Sequence, residues 1–292
     1  MGLQLGFNRF KKDWQTGFYN ALRPLLSRYS ASANWTQNDA FHAYETIERQ
    51  VEEEKPELLY TQLLREAYTR LEATLAAESG GSNVDDDDRE KFANSLKTLS
   101  FPVFPDTCDA LRALAQRYKL VVLSNVDKAS FPYTLALLSE GSSISSKSED
   151  DMLALYSPNH SESSRDANSK SRFWHPQTVA GSKSPFTMIV TAEDVGAYKP
   201  AKKGFLTVLD CIRDDPDLLG SGDDASAKAK LLWVAVSLRH DIAPTREMGI
   251  ENVWIDRQKL GPEVEGPKWT WRFETLAEFA EAVEQDFAQL ES

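Results

Sequence analysis

Between Thr16 and Ala77 the apolar positions recur at three- and four-residue intervals, the pattern of helices that each bury one face. "TGFYNALRPLLSRYS" carries Phe18, Leu22, Leu25 and Leu26 on such a stripe. In "TQNDAFHAYETIERQVEE" Thr36 stands where an N-cap belongs, ahead of Phe41, Tyr44, Ile47 and Val51. "PELLYTQLLREAYTRLEATLAAE" extends the period through Leu71 and Leu75, with Pro56 placed for a first turn. The pattern breaks at "SGGSNVDDDDREK". Asp85–Asp88 there lack EF-hand spacing and its closing glutamate, so the run reads as a solvated loop.

Beyond residue 100 the period changes. "KLVVL" (119–123), "TMIVT" (187–191), "LLWVAV" (231–236) and "NVWI" (252–255) are continuous apolar runs, as expected of strands covered on both faces in a parallel sheet. Helices are predicted after "FPVFPD", at Lys202–Ile212, at Ala243–Met248 and in "TLAEFAEAVEQDF", where Thr275 and Glu278 form a capping box. The class is α/β with a helical segment before most of the sheet. Residues 138–185 fall outside this rhythm. They are rich in Ser, Asp, Asn and Lys, a composition expected of a disordered surface insertion within the core. His160 and His175 lie in it and are not expected to act in chemistry.

Composition narrows the function classes. The 292 residues are 41% hydrophobic and 27% charged, with a net charge of −12. That balance excludes the basic stripe of a nucleic-acid binder and disfavours an anionic membrane surface. Apolar runs of about six residues are far shorter than the ~20 needed to span a bilayer. The first residues lack the apolar run of a secretory signal, so a cytoplasmic protein is expected. Cys108 and Cys211 offer neither a disulfide framework nor a CxxC, and the four histidines show no metal-ligand spacing. No cofactor or metal is expected.

The candidate chemistry sits where strands end, since open parallel sheets bind ligands outside the carboxyl ends of their strands. Ser124-Asn125 closes "VVLSN", where hydroxyl, amide and freed N–H groups can hold an anion's oxygens. Lys199 follows "TMIVTAEDVGAY" and precedes Pro200, which keeps it out of a helix. Ser237, His240 and Asp241 follow "LLWVAV".

Together "VVLSNVD", "TAEDVGAYKPAKKGF" and "VAVSLRHDIAPTREMGIENVWIDR" resemble motifs two, three and four of the haloacid dehalogenase superfamily, nearest its type II 2-haloacid dehalogenase branch. "DWQTGFYNAL", "EKPELLYTQLL", "FPDTCDAL" and "WRFETLAEF" extend the resemblance over most of the chain outside 138–185. It implies a Rossmann-like parallel sheet core, residues 1–17 and 99–292, with a helical cap at 18–98 over the strand ends. It also implies hydrolysis of a carbon–halogen bond. A strand-end aspartate displaces halide from C2 of a 2-haloacid, and water cleaves the resulting ester. On this resemblance Ser124 and Asn125 hold the substrate carboxylate, with Ser237 and His240 also lining the substrate site. Lys199 keeps the nucleophile ionised, and Asp241 orients Lys199 or the water. The implied partner is a small anionic substrate, with a homodimer as the candidate assembly.

Two departures bear on function. Counting back from "DWQTG" puts the nucleophile at Gly6, and no acid precedes Asp13. Asp13 follows Lys11-Lys12 rather than an apolar strand and reads as a helix cap. "GLQLGF" is also a poor match to a central strand, which should be apolar throughout. In the fourth motif, the positions where magnesium-dependent phosphatases of the superfamily carry a second acid are Val236 and Ser237. Three readings follow: a 2-haloacid dehalogenase by lineage, a catalytically inactive relative binding a small anion or a partner protein, and a magnesium-dependent phosphatase. A mis-chosen first exon and a retained intron would produce the lost motif and the Ser-rich tract respectively.

Overall fold

The computed structural model describes residues 2–6, 14–81, 86–98, 103–141, 148–158, 173–215, 218, 223–262, 265–266 and 268–291. The chain divides into two compact units, Met1–Phe10 with Val103–Ser292, and Lys11–Pro102. No helix among the described residues is long and apolar enough to cross a membrane.

The unit Lys11–Pro102 is helical: α1 (Trp14–Leu26), α2 (Gln37–Glu54), α3 (Tyr60–Ser79) and α4 (Asp86–Thr98). The apolar stripes predicted from spacing meet here, with Leu22, Leu25, Tyr44, Val51, Leu71 and Leu75 all buried. Phe92 centres the cluster, its ring 5.5 Å from Tyr44 and 5.1 Å from Tyr68. Thr36 caps α2 through a reciprocal box with Asp39. Two expectations are corrected. Pro56 lies in a turn before α3, whose N-cap residue Leu59 donates its N–H to Gln62 Oε1 at 3.1 Å. Asp86, Asp87 and Asp88 open α4 rather than a loop. Acidic residues suit a helix N-terminus, where the partial charge is positive, and Asp88 also pairs with Arg28, in the turn after α1, at 3.1 Å.

In the other unit the described strands form one parallel six-stranded sheet, in the order β3-β2-β1-β4-β5-β6. The strands are β1 (Gly2–Gly6), β2 (Lys119–Ser124), β3 (Phe186–Thr191), β4 (Leu231–Ala235), β5 (Glu251–Ile255) and β6 (Trp271–Phe273). Alternate side chains enter opposite cores, as strands covered on both faces require. Val122, Ile189, Val234 and Val253 join one cluster; Val121, Leu123, Met188, Trp233 and Trp254 join the other. Despite its glycines, β1 is the central strand, with Leu5 opposite Val122 on one side and Val234 on the other. The backbone groups of β2 and β4 require a partner there, and that requirement prevails over the weak strand propensity of "GLQLG".

The described part of 138–185 is not a disordered insertion. Leu138, Ser139 and Glu140 are buried in the helix Phe131–Glu140, and Tyr156, from the helix Glu149–Tyr156, is buried too. Trp174 pairs with Ile189 across the outer edge of β3. The physical reason is a polar clamp: Tyr156 donates to Glu140 at 2.8 Å and Lys183 Nζ donates to the same carboxylate at 2.9 Å. A few such anchors, with Trp174, hold a polar tract that composition alone reads as unable to fold. At the other end of the chain Thr275 caps the helix Leu276–Leu290, but Glu278 accepts the N–H of Glu274 rather than that of Thr275, so the predicted box is open by one residue.

Asp106 fastens that last helix. It accepts from Arg257 at 2.9 and 2.8 Å and from the N–H groups of Leu276 and Ala277 at 3.1 and 3.2 Å. Burial pushes its carboxyl up, but the hydrogen bond and charge of Arg257 and the Ala277 N–H outweigh burial and hold it below the ordinary range. A carboxyl lowered on folding stabilises the protein fully above its unfolded value, about 3.9, and loses that contribution as pH falls through the folded value. Asp106→Asn is therefore expected to destabilise by about 2 kcal/mol at pH 7, a figure already reduced for partial solvation. In denaturant titrations the gap should narrow at pH 3; a gap that is constant with pH would refute the charge-based account.

Candidate functional site

The chain runs outward from β1 to β3, then returns to β4 beside β1, so the sheet's order reverses at its centre. Crevices at such reversals, outside the carboxyl ends of strands, are where open α/β sheets bind ligands. Three strand ends meet there: Gly6 closing β1 opposite Ala235, Ser124 closing β2 opposite Thr191, and Val236-Ser237 following β4.

Lys199 reaches this region from the loop between β3 and the helix Lys202–Asp214. That helix packs closely on β2, because a Cβ at Gly204 would stand 3.0 Å from Leu123 Cδ2. The approach brings Lys199 Nζ to within 2.9 Å of the Leu123 carbonyl and 2.8 Å of Asp241 Oδ1. Both side chains are about 95% buried, at 5% and 4% exposure. A buried cation and anion at this distance compensate each other's desolvation.

The lysine backbone is held by Asn125. Its Oδ1 accepts the Lys199 N–H at 2.7 Å and its Nδ2 donates to the Lys199 carbonyl at 3.0 Å. The amide assigned by resemblance to substrate is thus engaged on both its atoms by the loop that delivers the lysine. Ser124 is buried at the end of β2. Asp241 is fixed in turn: its Oδ1 also accepts the Trp233 indole N–H at 3.2 Å, and its carbonyl accepts Thr245 Oγ1 at 2.7 Å. Asn252 Nδ2 donates to Thr245 Oγ1 at 3.2 Å, so the support continues to β5.

Ser237 and His240 form a second group. Ser237 Oγ lies 3.2 Å from His240 Nδ1 and accepts the His240 backbone N–H at 3.1 Å. Arg239 Nη1 lies 3.0 Å from His240 Nε2. The Asp241 N–H to Ser237 carbonyl bond, 3.3 Å, links this group to the lysine–aspartate pair. Of the other residues singled out in the sequence, His175 precedes the short turn Pro176–Thr178, its backbone carbonyl accepting from Thr178 Oγ1 at 2.7 Å. Asp13 and His160 lie outside the described residues.

Sequence reasoning missed Trp233. Its signal was an indole inside a fully buried strand run, where the ring N–H needs an acceptor; Phe205 stacks on the ring at 4.6 Å and leaves the N–H edge to Asp241. Neither Trp254 nor its bond to the Val236 carbonyl, 3.1 Å, was anticipated, although it holds the end of β4.

Magnesium does not fit the residues present. Asp241 is the one acid at the end of β4, its Oδ1 already takes two N–H donors, and Ser237 stands where a second carboxylate would be needed. Among the described residues no group of three or more His, Cys, Asp or Glu side chains could hold a metal ion.

Neither a protein-family model nor a curated protein matches the sequence. Solved structures do match the fold. The orthorhombic form of the putative hydrolase YfnB from Bacillus subtilis, bound to magnesium, is 17% identical, with 97% of this chain and 98% of that chain covered and a TM-score of 0.57. The L-2-haloacid dehalogenase from Xanthobacter autotrophicus is 12% identical with the same coverage and a TM-score of 0.58. A dehalogenase with an intermediate complex is 15% identical over 96% of both chains, with a TM-score of 0.55. At these identities the likeness establishes the fold.

Proposed function

We propose that this chain, which has the fold of the haloacid dehalogenase superfamily, is of the 2-haloacid dehalogenase kind: a hydrolase-type protein whose strand-end site binds a small carboxylate such as a 2-haloacid. The observation that carries the reading is Lys199, held between the Leu123 carbonyl and Asp241 at the end of the sheet's central strands. The unit Lys11–Pro102 serves as the helical cap, Ser124 and Ser237 supply donors to the anion, and Lys199 supplies positive charge. Position 6 supplies no carboxylate. The chain as written binds its substrate and lacks the nucleophile that would turn it over.

The test is calorimetric binding of 2-chloropropionate, run beside assays for halide and phosphate release. Saturable binding is expected, weakened about tenfold by Ser124→Ala, as loss of one charge-assisted hydrogen bond implies. Halide release should not exceed the buffer control. Absence of binding would overturn the reading. Halide release by the unchanged chain would place a nucleophile elsewhere than position 6, and magnesium-dependent phosphate release would favour the phosphatase.

A further inference from the structure

The group Arg239, His240 and Ser237 has a hydrogen-bond direction that its chemistry fixes. A guanidinium carries only N–H donors and does not lose its proton in proteins. At 3.0 Å from Arg239 Nη1, His240 Nε2 must therefore present its lone pair. An imidazole with a lone pair on Nε2 is neutral and holds its single proton on Nδ1. That proton points to Ser237 Oγ, 3.2 Å away. The same oxygen accepts the His240 backbone N–H at 3.1 Å. Both lone pairs of the hydroxyl are then engaged, and its remaining capacity is its own O–H.

We infer that Arg239 and His240 are positioning residues that make Ser237 a donor-only hydroxyl at the end of β4, reading an oxygen of the bound anion and barred from acting as a nucleophile. The anion-reading part rests on the binding function proposed above. A serine beside a histidine is ordinarily the arrangement of a nucleophile and its base. Here the ring nitrogen that faces the hydroxyl already carries a proton, and the other nitrogen's lone pair is engaged by arginine. His240 is then no base for the serine proton, so the pair does not supply a nucleophile in place of a carboxylate at position 6. The arrangement adds a donor to an end of the sheet that already has Lys199, which suits an anion.

Long-range 1H–15N correlation spectra of the full chain, with His240→Gln to assign the ring, read the tautomer directly. The Nδ1–H form is expected, shifting toward the Nε2–H form in Arg239→Leu. An Nε2–H ring or an imidazolium in the unchanged protein at neutral pH overturns the inference. With 2-chloropropionate as the probe, Ser237→Ala and Arg239→Leu are each expected to weaken binding about tenfold. Unchanged affinity in Ser237→Ala overturns the donor role whatever the tautomer. A chain that binds no 2-chloropropionate overturns the proposed function and the anion-reading role with it, while the spectra still decide whether Arg239 fixes the ring.

Discussion

Gly6→Asp is expected to raise halide release from 2-chloropropionate by about 10^3-fold or more over the unchanged chain, since deleting a nucleophile from an otherwise intact site costs up to ~10^6 in turnover. The register supports the choice of position. Gly6 is the last residue of the central strand, opposite Ala235, and a strand backbone accepts aspartate as readily as glycine. Lys199 can support the new carboxylate. An ammonium has three N–H donors, and two of them are directed to Leu123 and Asp241. A nearby cation lowers a carboxyl's pKa and keeps it ionised for attack on C2. Gly6→Asn has nearly the same shape without the nucleophile and should stay silent. If Gly6→Asp melts cooperatively near the unchanged chain yet releases no halide, the site is not of the dehalogenase kind.

The strands of the core were legible because each is covered on both faces, which forces runs such as Leu231–Ala235 to be apolar at every position. The strand-end candidates were legible for the complementary reason: polar residues closing such runs need partners. Lys199 and Asp241 did come together across 42 residues. What stayed hidden depends on contacts that local pattern does not carry. The place of β1 is set by the unpaired edges of β2 and β4, not by its own sequence. The bond pair from Asn125 spans 74 residues and gives no local signal of whether the amide faces the substrate or the chain. The described part of 138–185 misled because a polar composition predicts disorder on average, whereas Glu140, Tyr156 and Trp174 are three specific anchors there.

Asp241→Ala is expected to cost about 3–5 kcal/mol of folding stability, the range for removing one partner of a buried ion pair. The loss has two parts. Lys199 would remain buried with its charge uncompensated, and the Trp233 indole N–H would lose its acceptor. Asp241→Asn separates them, since its amide oxygen can still accept the indole while the anion is gone. The double variant Lys199→Met with Asp241→Leu removes both charges and should recover most of the loss, because a buried pair replaced by apolar groups of similar volume is often neutral. Urea titrations of the four proteins separate these contributions. If Asp241→Ala lies within about 1 kcal/mol of the unchanged chain, the pair is solvated and contributes no more than a surface salt bridge. If the double variant is no more stable than Asp241→Ala, the cost comes from lost packing and the indole bond rather than from the stranded lysine. The expected recovery would mean that the pair is not needed for stability, leaving function as the reason the chain keeps a buried lysine and aspartate beside the ends of its central strands.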